Sequence, residues 1–339
     1  MLLRHNGIGL RHREGEGGTV GVTVWLALVI ATIVAWSATS LLYKAGIRDA
    51  DEPHVCLKYS VCIGLVFLVI AVAYLAMREE PFTIWESAVR FWPMTLYGLL
   101  YVVINTVSFK GFVYNEASVE SPVERASSGI STILLVFAFL ALGRAGSISE
   151  VLNAPKAVGI AFIVVCVAAL AWVRNRDRRK NAESDAGRWR YVGLGTLVFP
   201  LLFALGDGVE TIVTGLCLDT TYGFGMPEGD SVIIIGLEYA AFALAFWLYI
   251  LWREGRPYNP FTRHSAPRIL GAVADNVGIV MYAYAMAIDS VSTDPIVATY
   301  PILVMLGGRV LMGERLSAAQ YALLLGIVSG SILIVLGTI

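Results

Sequence analysis

Charge is what this sequence has least of. Lys, Arg, Asp and Glu together make up 15% of its 339 residues, where a soluble domain carries about 25%. Mean hydropathy is +0.70, which excludes an ordinary soluble globular domain and leaves a multi-span membrane protein. A net charge of −1 supplies no basic surplus for binding nucleic acid. Cysteine is equally thin. Cys56, Cys62, Cys166 and Cys217 are spread along the chain, mostly inside apolar runs. They read as buried free thiols rather than a disulfide framework, with a bridge or metal site between Cys56 and Cys62 as the lesser alternative. The histidines, His5, His12, His54 and His264, are scattered, which disfavours a membrane-embedded lipid enzyme built on a His, Asp or Ser cluster. No GxGxxG, Walker A, HExxH or GxSxG string stands in a strand–turn–helix context, and no long soluble segment could host one. An enzyme, a nucleotide, a metal or another cofactor is therefore not expected.

What the chain has in abundance is long apolar runs. They lie at about 22–43, 56–77, 91–114, 117–142, 157–173, 191–216, 231–252, 269–288, 292–312 and 318–338. About twenty residues at 1.5 Å rise cross a hydrocarbon core of roughly 30 Å. In lipid only helices or closed barrels satisfy every backbone group, and runs of this length are helices. The first run is too long for a signal-peptide core and reads as a retained span. The expected fold is all-α, with ten transmembrane helices.

The second half repeats the layout of the first. Residues 114–172 contain an apolar run, a Gly143-Arg144-Ala145-Gly146-Ser147 hinge and a second run; residues 284–339 do the same around Gly313-Glu314-Arg315-Leu316-Ser317. Tyr114 falls on Tyr284, Gly143 on Gly313 and Ser147 on Ser317, each 170 positions on. The expected organisation is a polar tail (1–19), a five-helix unit (20–173), a basic linker (174–190) and a second five-helix unit (191–339). An odd number of spans per unit inserts the second copy upside down, the inverted-repeat plan of secondary transporters. Arg174, Arg176, Arg178, Arg179, Lys180, Arg188 and Arg190 in the linker, and Arg253, Arg256, Arg263 and Arg268 further on, put both loops on the cytoplasmic side. That places the amino terminus outside, against the arginines of its own tail.

Charges inside spans cost about 2.5–3.5 kcal/mol each on insertion scales, so they face a cavity or a partner. Ser37, Ser40 and Lys44 recur on one face of the first span, and Asp207, Glu210 and Thr214, with Thr211 beside them, take the matching positions of the sixth. Asn105 is matched by Asp275, and Glu124 by Asp294, at the same offset; Tyr282 follows Asp275 by seven residues on the same face. Ser37, Ser40, Asn105, Asp207, Thr211, Asp275 and Tyr282 are the candidate substrate contacts. Asp207, Glu210 and Glu124 are the candidate proton carriers, because burial disfavours a charged carboxylate. Duller readings stand beside these. Lys44 could snorkel, Asp294 before Pro295 could cap a helix, and Glu116, Glu120 and Glu124 could form an exposed, fraying helix end with Arg125 as counter-ion. Trp25, Trp92, Trp247 and Trp252 read as interfacial anchors. Gly326 and Gly330 form a GxxxG that serves either the bundle or a dimer.

Pro301, Gly313-Glu314-Arg315-Leu316-Ser317, Gln320, Gly326 and Gly337, led in by Tyr284-Ala285-Met286-Ala287, resemble the closing hairpin of the drug/metabolite transporter superfamily. The layout is similar to its EamA-type ten-helix members. The match runs over 191–339 and is looser over 20–173, where Arg144 replaces the hinge Glu and Ser131 the expected Pro. The resemblance implies a secondary transporter, often an exporter of amino acids, metabolites or drugs, with both termini in the cytoplasm. The combined expectation is a multi-pass protein of the cytoplasmic (inner) membrane, monomer or homodimer. Its partners would be the lipid bilayer and a small-molecule substrate moved by alternating access, with proton coupling an option. A non-transporting receptor or assembly subunit is the rival from another class.

Overall fold

The computed structural model describes residues 17–47, 52–114, 121, 124–184, 195–312 and 317–338. Among them every regular element is helical: α1 (Gly17–Gly46), α2 (Val55–Met77), α3 (Trp92–Tyr114), α4 (Ser128–Ala141), α5 (Ala154–Ser184), α6 (Gly195–Leu218), α7 (Glu228–Glu254), α8 (Ala266–Ile288), α9a (Ser290–Val297), α9b (Pro301–Met312) and α10 (Ala318–Thr338), with short connecting helical turns. Eight stretches are long and apolar enough to cross a membrane, taking α9a and α9b as one, while Ser128–Ala141 and Ala154–Leu170 are apolar but shorter. This is a multi-pass helical membrane protein.

Several boundaries differ from the sequence reading. The fourth run was expected to be one helix over 117–142, but α4 begins at Ser128 after a single 3-10 turn, Arg125–Ser127. The ninth breaks at 298–300, because Pro301 lacks an N–H and disfavours a helical residue before it. The helix of the fifth run continues to Ser184, into the stretch expected as linker. Glu116, Glu120, residues 185–190 of the linker, the hinge at 313–316 and most of the tail lie outside the described residues.

The helices pair across the halves. α1 packs chiefly on α8, α3 on α6, α2 on α7 and α5 on α10; α4 also packs on α6, and α9b on α1. Small residues permit the tightest approaches. Gly330 of α10 faces Gly159 of α5, and a Cβ on Gly330 would meet Ile163 Cγ1 at 2.7 Å and Gly159 O at 2.9 Å. The GxxxG is thus used inside the bundle. Trp25 is buried at 1% exposure and donates Nε1–H to Thr293 Oγ1 at 2.8 Å, so it anchors α1 to α9a rather than to an interface. Trp92 and Trp252 are exposed.

Charged and polar side chains tie the helix ends together. At one end Lys58 bridges Glu52 (3.2 Å) and Glu254 (2.9 Å), and His54 Nδ1 contacts Glu254 at 3.2 Å. Arg268 pairs with Glu52 and donates Nε–H to Gly46 O at 3.0 Å. This network joins the end of α1, the starts of α2 and α8 and the end of α7. At the opposite end Arg78 pairs with Asp230, Lys156 with Asp289 (2.8 Å), and Asp219 accepts from Ser290 Oγ at 2.6 Å. α5 and α7, which lead into the expected basic stretches 174–190 and 253–268, both end on the Glu52 side.

Two outcomes test this packing. Gly330→Val overfills the α5–α10 contact and should cost about 1–3 kcal/mol, read as a lowered unfolding midpoint in detergent. Burial alone would raise the Glu52 pKa, but hydrogen bonds and charge from Arg268 and Lys58 outweigh it and hold it below the ordinary value. The stability this contributes is complete above the unfolded value, about pH 4.3, and lost as pH falls through the lower folded value. Glu52→Gln should remove that acid-side loss in a pH-dependent melt.

Candidate functional site

Two small cavities lie one above the other along the bundle axis, sharing Trp36 of α1, Tyr101 of α3 and Ile279 of α8 as a partition. The proximal one, toward the Glu52 end, occupies about 50 Å³, and the distal one about 40 Å³. Each has room for a few waters.

Helical periodicity builds the walls. Trp36, Ser40 and Tyr43 of α1 follow the i, i+4, i+7 rule, as do Tyr101, Asn105 and Ser108 of α3 and Asp275, Ile279 and Tyr282 of α8. On α6, Phe203 lines the proximal cavity, and Asp207, Glu210 and Thr214 the distal one. The proximal wall is completed by Glu124, Arg125 and Tyr300, the distal wall by Tyr97, Gly98 and Tyr239.

A buried ion pair joins the two spaces. Arg125 Nη1 donates to Asp207 Oδ2 at 2.7 Å, with the two side chains 5% and 2% exposed. The guanidinium also lies 4.7 Å from the Trp36 ring and 5.3 Å from that of Tyr300, which favours the cation over the ring faces. The reading of Glu124 and Arg125 as an exposed, fraying end is corrected: both are buried, because the irregular start of α4 turns them into the bundle.

Around the pair the other acids take neutral donors. Tyr43 donates to Asp275 Oδ2 at 2.7 Å, Thr214 to Glu210 Oε1 at 2.7 Å, and Ser128 and Tyr282 to Asp294 at 2.7 and 3.2 Å. Asp294 is therefore no helix cap; Asp289 caps α9a, accepting from Ser292 N at 3.0 Å. Asn105 Nδ2 donates to Tyr239 OH at 3.0 Å.

The sequence candidates separate on this geometry. Ser40, Asn105, Asp275 and Glu124 line the proximal cavity, and Asp207, Glu210 and Tyr282 the distal one. Ser37 and Thr211 line neither. Ser37 is bound to Ile33 O (2.6 Å) and Tyr300 O (3.1 Å), and Thr211 is wholly buried. The wall-forming face of α1 is one register step from the expected Ser37–Ser40–Lys44 stripe, and Lys44 donates to Phe112 O at 2.7 Å rather than snorkelling. Arg125, Trp36, Tyr43, Tyr101 and Tyr300 were missed as site residues. The spacing of Trp36, Ser40 and Tyr43 is the signal that could have found three wall positions.

One carboxylate stands apart. Glu238 of α7 is 7% exposed, neither carboxyl oxygen has a hydrogen-bond partner, and its tip abuts Gly98 of α3. Glu238→Gln should leave the unfolding midpoint unchanged or raise it, since burying an unpartnered charge costs more than burying an amide, whereas Gly98→Ala should lower it. For the central pair, Arg125→Ala or Asp207→Ala alone should cost about 3–5 kcal/mol by stranding a buried charge. The double replacement should cost less than the sum, read from a double-mutant cycle of denaturation midpoints.

No family model and no curated protein matches the chain. Among 25 matching chains of solved structures, a crystal structure described only as that of a protein superimposes with a TM-score of 0.56 at 15% identity, over 92% of this chain and 96% of its own. That likeness concerns the fold alone.

Proposed function

We propose that this protein is a secondary transporter of the EamA-type drug/metabolite transporter kind, moving a small solute across the cytoplasmic membrane by alternating access. Its ten spans would form two inverted five-helix repeats. The observation that carries the reading is the pair of small cavities at the bundle centre, lined by carboxyl, hydroxyl and aromatic side chains and linked by the Arg125–Asp207 ion pair, with tied helix ends on both sides. A carrier passes through a state with a small central space between its two open ones.

The helix pairing supports the inverted repeat. A two-fold axis that exchanges the first five spans for the last five, in order, turns the α1–α8 contact into α6–α3 and leaves α2–α7 and α5–α10 on themselves; all four are the principal cross-half contacts. The same exchange turns α4–α6 into the contact between the ninth span and α1, which is also present.

In this mechanism the helices around the cavities rock, breaking the Glu52 network on one side or the Asp219–Ser290 and Arg78–Asp230 ties on the other. Ser40, Asn105, Asp275 and Tyr282 contact the solute. Asp207 is paired with Arg125 at 2.7 Å; a proton on Asp207 would weaken that attraction and release Arg125. Glu210 lies one helical turn from Asp207 on the same cavity wall and would exchange the proton. Protonation would thus be tied to the rearrangement of α4 against α6.

Replacing Asp207 and Glu210 by Asn and Gln should abolish pH-dependent uptake in proteoliposomes while the protein remains folded by circular dichroism. Pursuing solutes in that assay begins with counterflow screening of mixed metabolites. Unchanged pH dependence in the double variant would remove the coupling claim, and a wild-type protein that exchanges no solute would remove the carrier itself in favour of a receptor.

A further inference from the structure

We propose that the solute of this site is an organic cation: a protonated or quaternary amine on a flat apolar body. The inference rests on the carrier reading and adds to it the chemical class of the substrate.

The charge balance of the walls is one-sided. Glu124 and Asp275 line the proximal cavity and Asp207 and Glu210 the distal one, while Arg125 is the single basic side chain among the described lining residues. Its charge is already matched by Asp207 at 2.7 Å. An entering anion would meet carboxyl groups and no free base, whereas an entering cation would meet carboxyl acceptors whose ionised form its own charge favours.

The proximal walls are also aromatic. Trp36, Tyr43, Tyr101, Phe109, Phe112 and Tyr300 surround the space. Tyr43 meets Phe109 edge to face at 4.9 Å and Phe112 at 5.9 Å, so the rings form a continuous surface rather than isolated contacts. Ring faces of this kind attract cations and stack on planar bodies, most strongly where water is excluded. The protein uses the property on itself, since Trp36 and Tyr300 already hold the Arg125 guanidinium.

One acceptor is left over within this box. Asp275 is 8% exposed, and Tyr43 donates to its Oδ2. Among the described residues no donor reaches Oδ1, although the side chain lines the cavity. An ammonium placed there would donate to Oδ1 while its substituents lie against Tyr43, Phe109 and Phe112. A quaternary amine would keep the Coulomb and ring-face terms and forgo only the hydrogen bond. At about 50 Å³ the space holds the head of such a ligand and not its body, so the body is accommodated as α1, α3 and α8 separate.

The test uses the full-length protein in lipid nanodiscs and four ligands with one ring and different charge: phenethylammonium, phenethyltrimethylammonium, phenylacetate and 2-phenylethanol. Binding is read from tryptophan fluorescence and from the shift in unfolding midpoint. Both cations should bind at least tenfold more tightly than the acid and the alcohol, and Asp275→Asn should cost the cations about tenfold while barely altering the alcohol. The four-ligand comparison on the unmodified protein stands even if that variant fails to fold. Equal or tighter binding of phenylacetate or 2-phenylethanol would overturn the proposal, as would no cation binding at millimolar concentration. Counterflow in proteoliposomes separates this inference from the reading beneath it. Cations that bind at the Asp275-dependent site without being exchanged would support the cation site and overturn the carrier. Exchange of phenylacetate but not of either cation would overturn the cation class and leave the carrier standing.

Discussion

A single guanidinium among several carboxylates organises the centre of this bundle. Arg125 and Asp207 are almost wholly enclosed, and an ion in such surroundings loses several kcal/mol of hydration that only close geometry and further contacts offset. The 2.7 Å bond to Asp207, with the rings of Trp36 and Tyr300 over the cation, supplies that geometry. It draws three elements to one point: the 3-10 turn ahead of α4, the middle of α6, and α1 backed by the residue that opens onto α9b. Of the other acids, Asp275, Glu210 and Asp294 take hydroxyl donors, Arg125 being the single base among the described lining residues.

The rest of the architecture keeps that centre small. The helices that carry the cavity walls are cross-paired between the two halves of the chain, α1 with α8 and α3 with α6. The flanking pairs, α2 with α7 and α5 with α10, include close backbone approaches: Gly64 meets Tyr239 and Ala243, and Gly159 meets Gly330. Ion pairs and polar caps then close the two ends. Under the proposed function these ties would break in alternation, and the central pair would respond to protonation because its attraction depends on Asp207 being charged.

The helices were legible because apolar length is a local property. The runs at 56–77 and 318–338 were read to within a residue of Val55–Met77 and Ala318–Thr338, and that at 231–252 to within three of Glu228–Glu254. Errors came where a polar group inside a run found a distant partner. The run at 292–312 looked like one long helix, yet the chain breaks before Pro301. Trp25 looked like an interfacial ring, yet Thr293, far along the chain, receives its N–H. Glu124 and Arg125 looked solvated because the charges around them are dense, and no local rule says that Asp207 will sit opposite.

By itself the sequence determined the membrane character, the helical class and the intramembrane positions at which a polar group demands an explanation, since each follows from hydropathy and the cost of burying charge. Only the tertiary structure decided which of those groups meet. It selected Trp36, Ser40 and Tyr43 as the cavity-lining face of α1 instead of Ser37 and Lys44, one register step away, and it assigned Arg125 to Asp207. The physical reason is that helical periodicity marks a stripe to within a residue or so, whereas partnership depends on helix rotation and crossing, which are set by packing between segments far apart in the chain, 82 residues for Arg125 and Asp207.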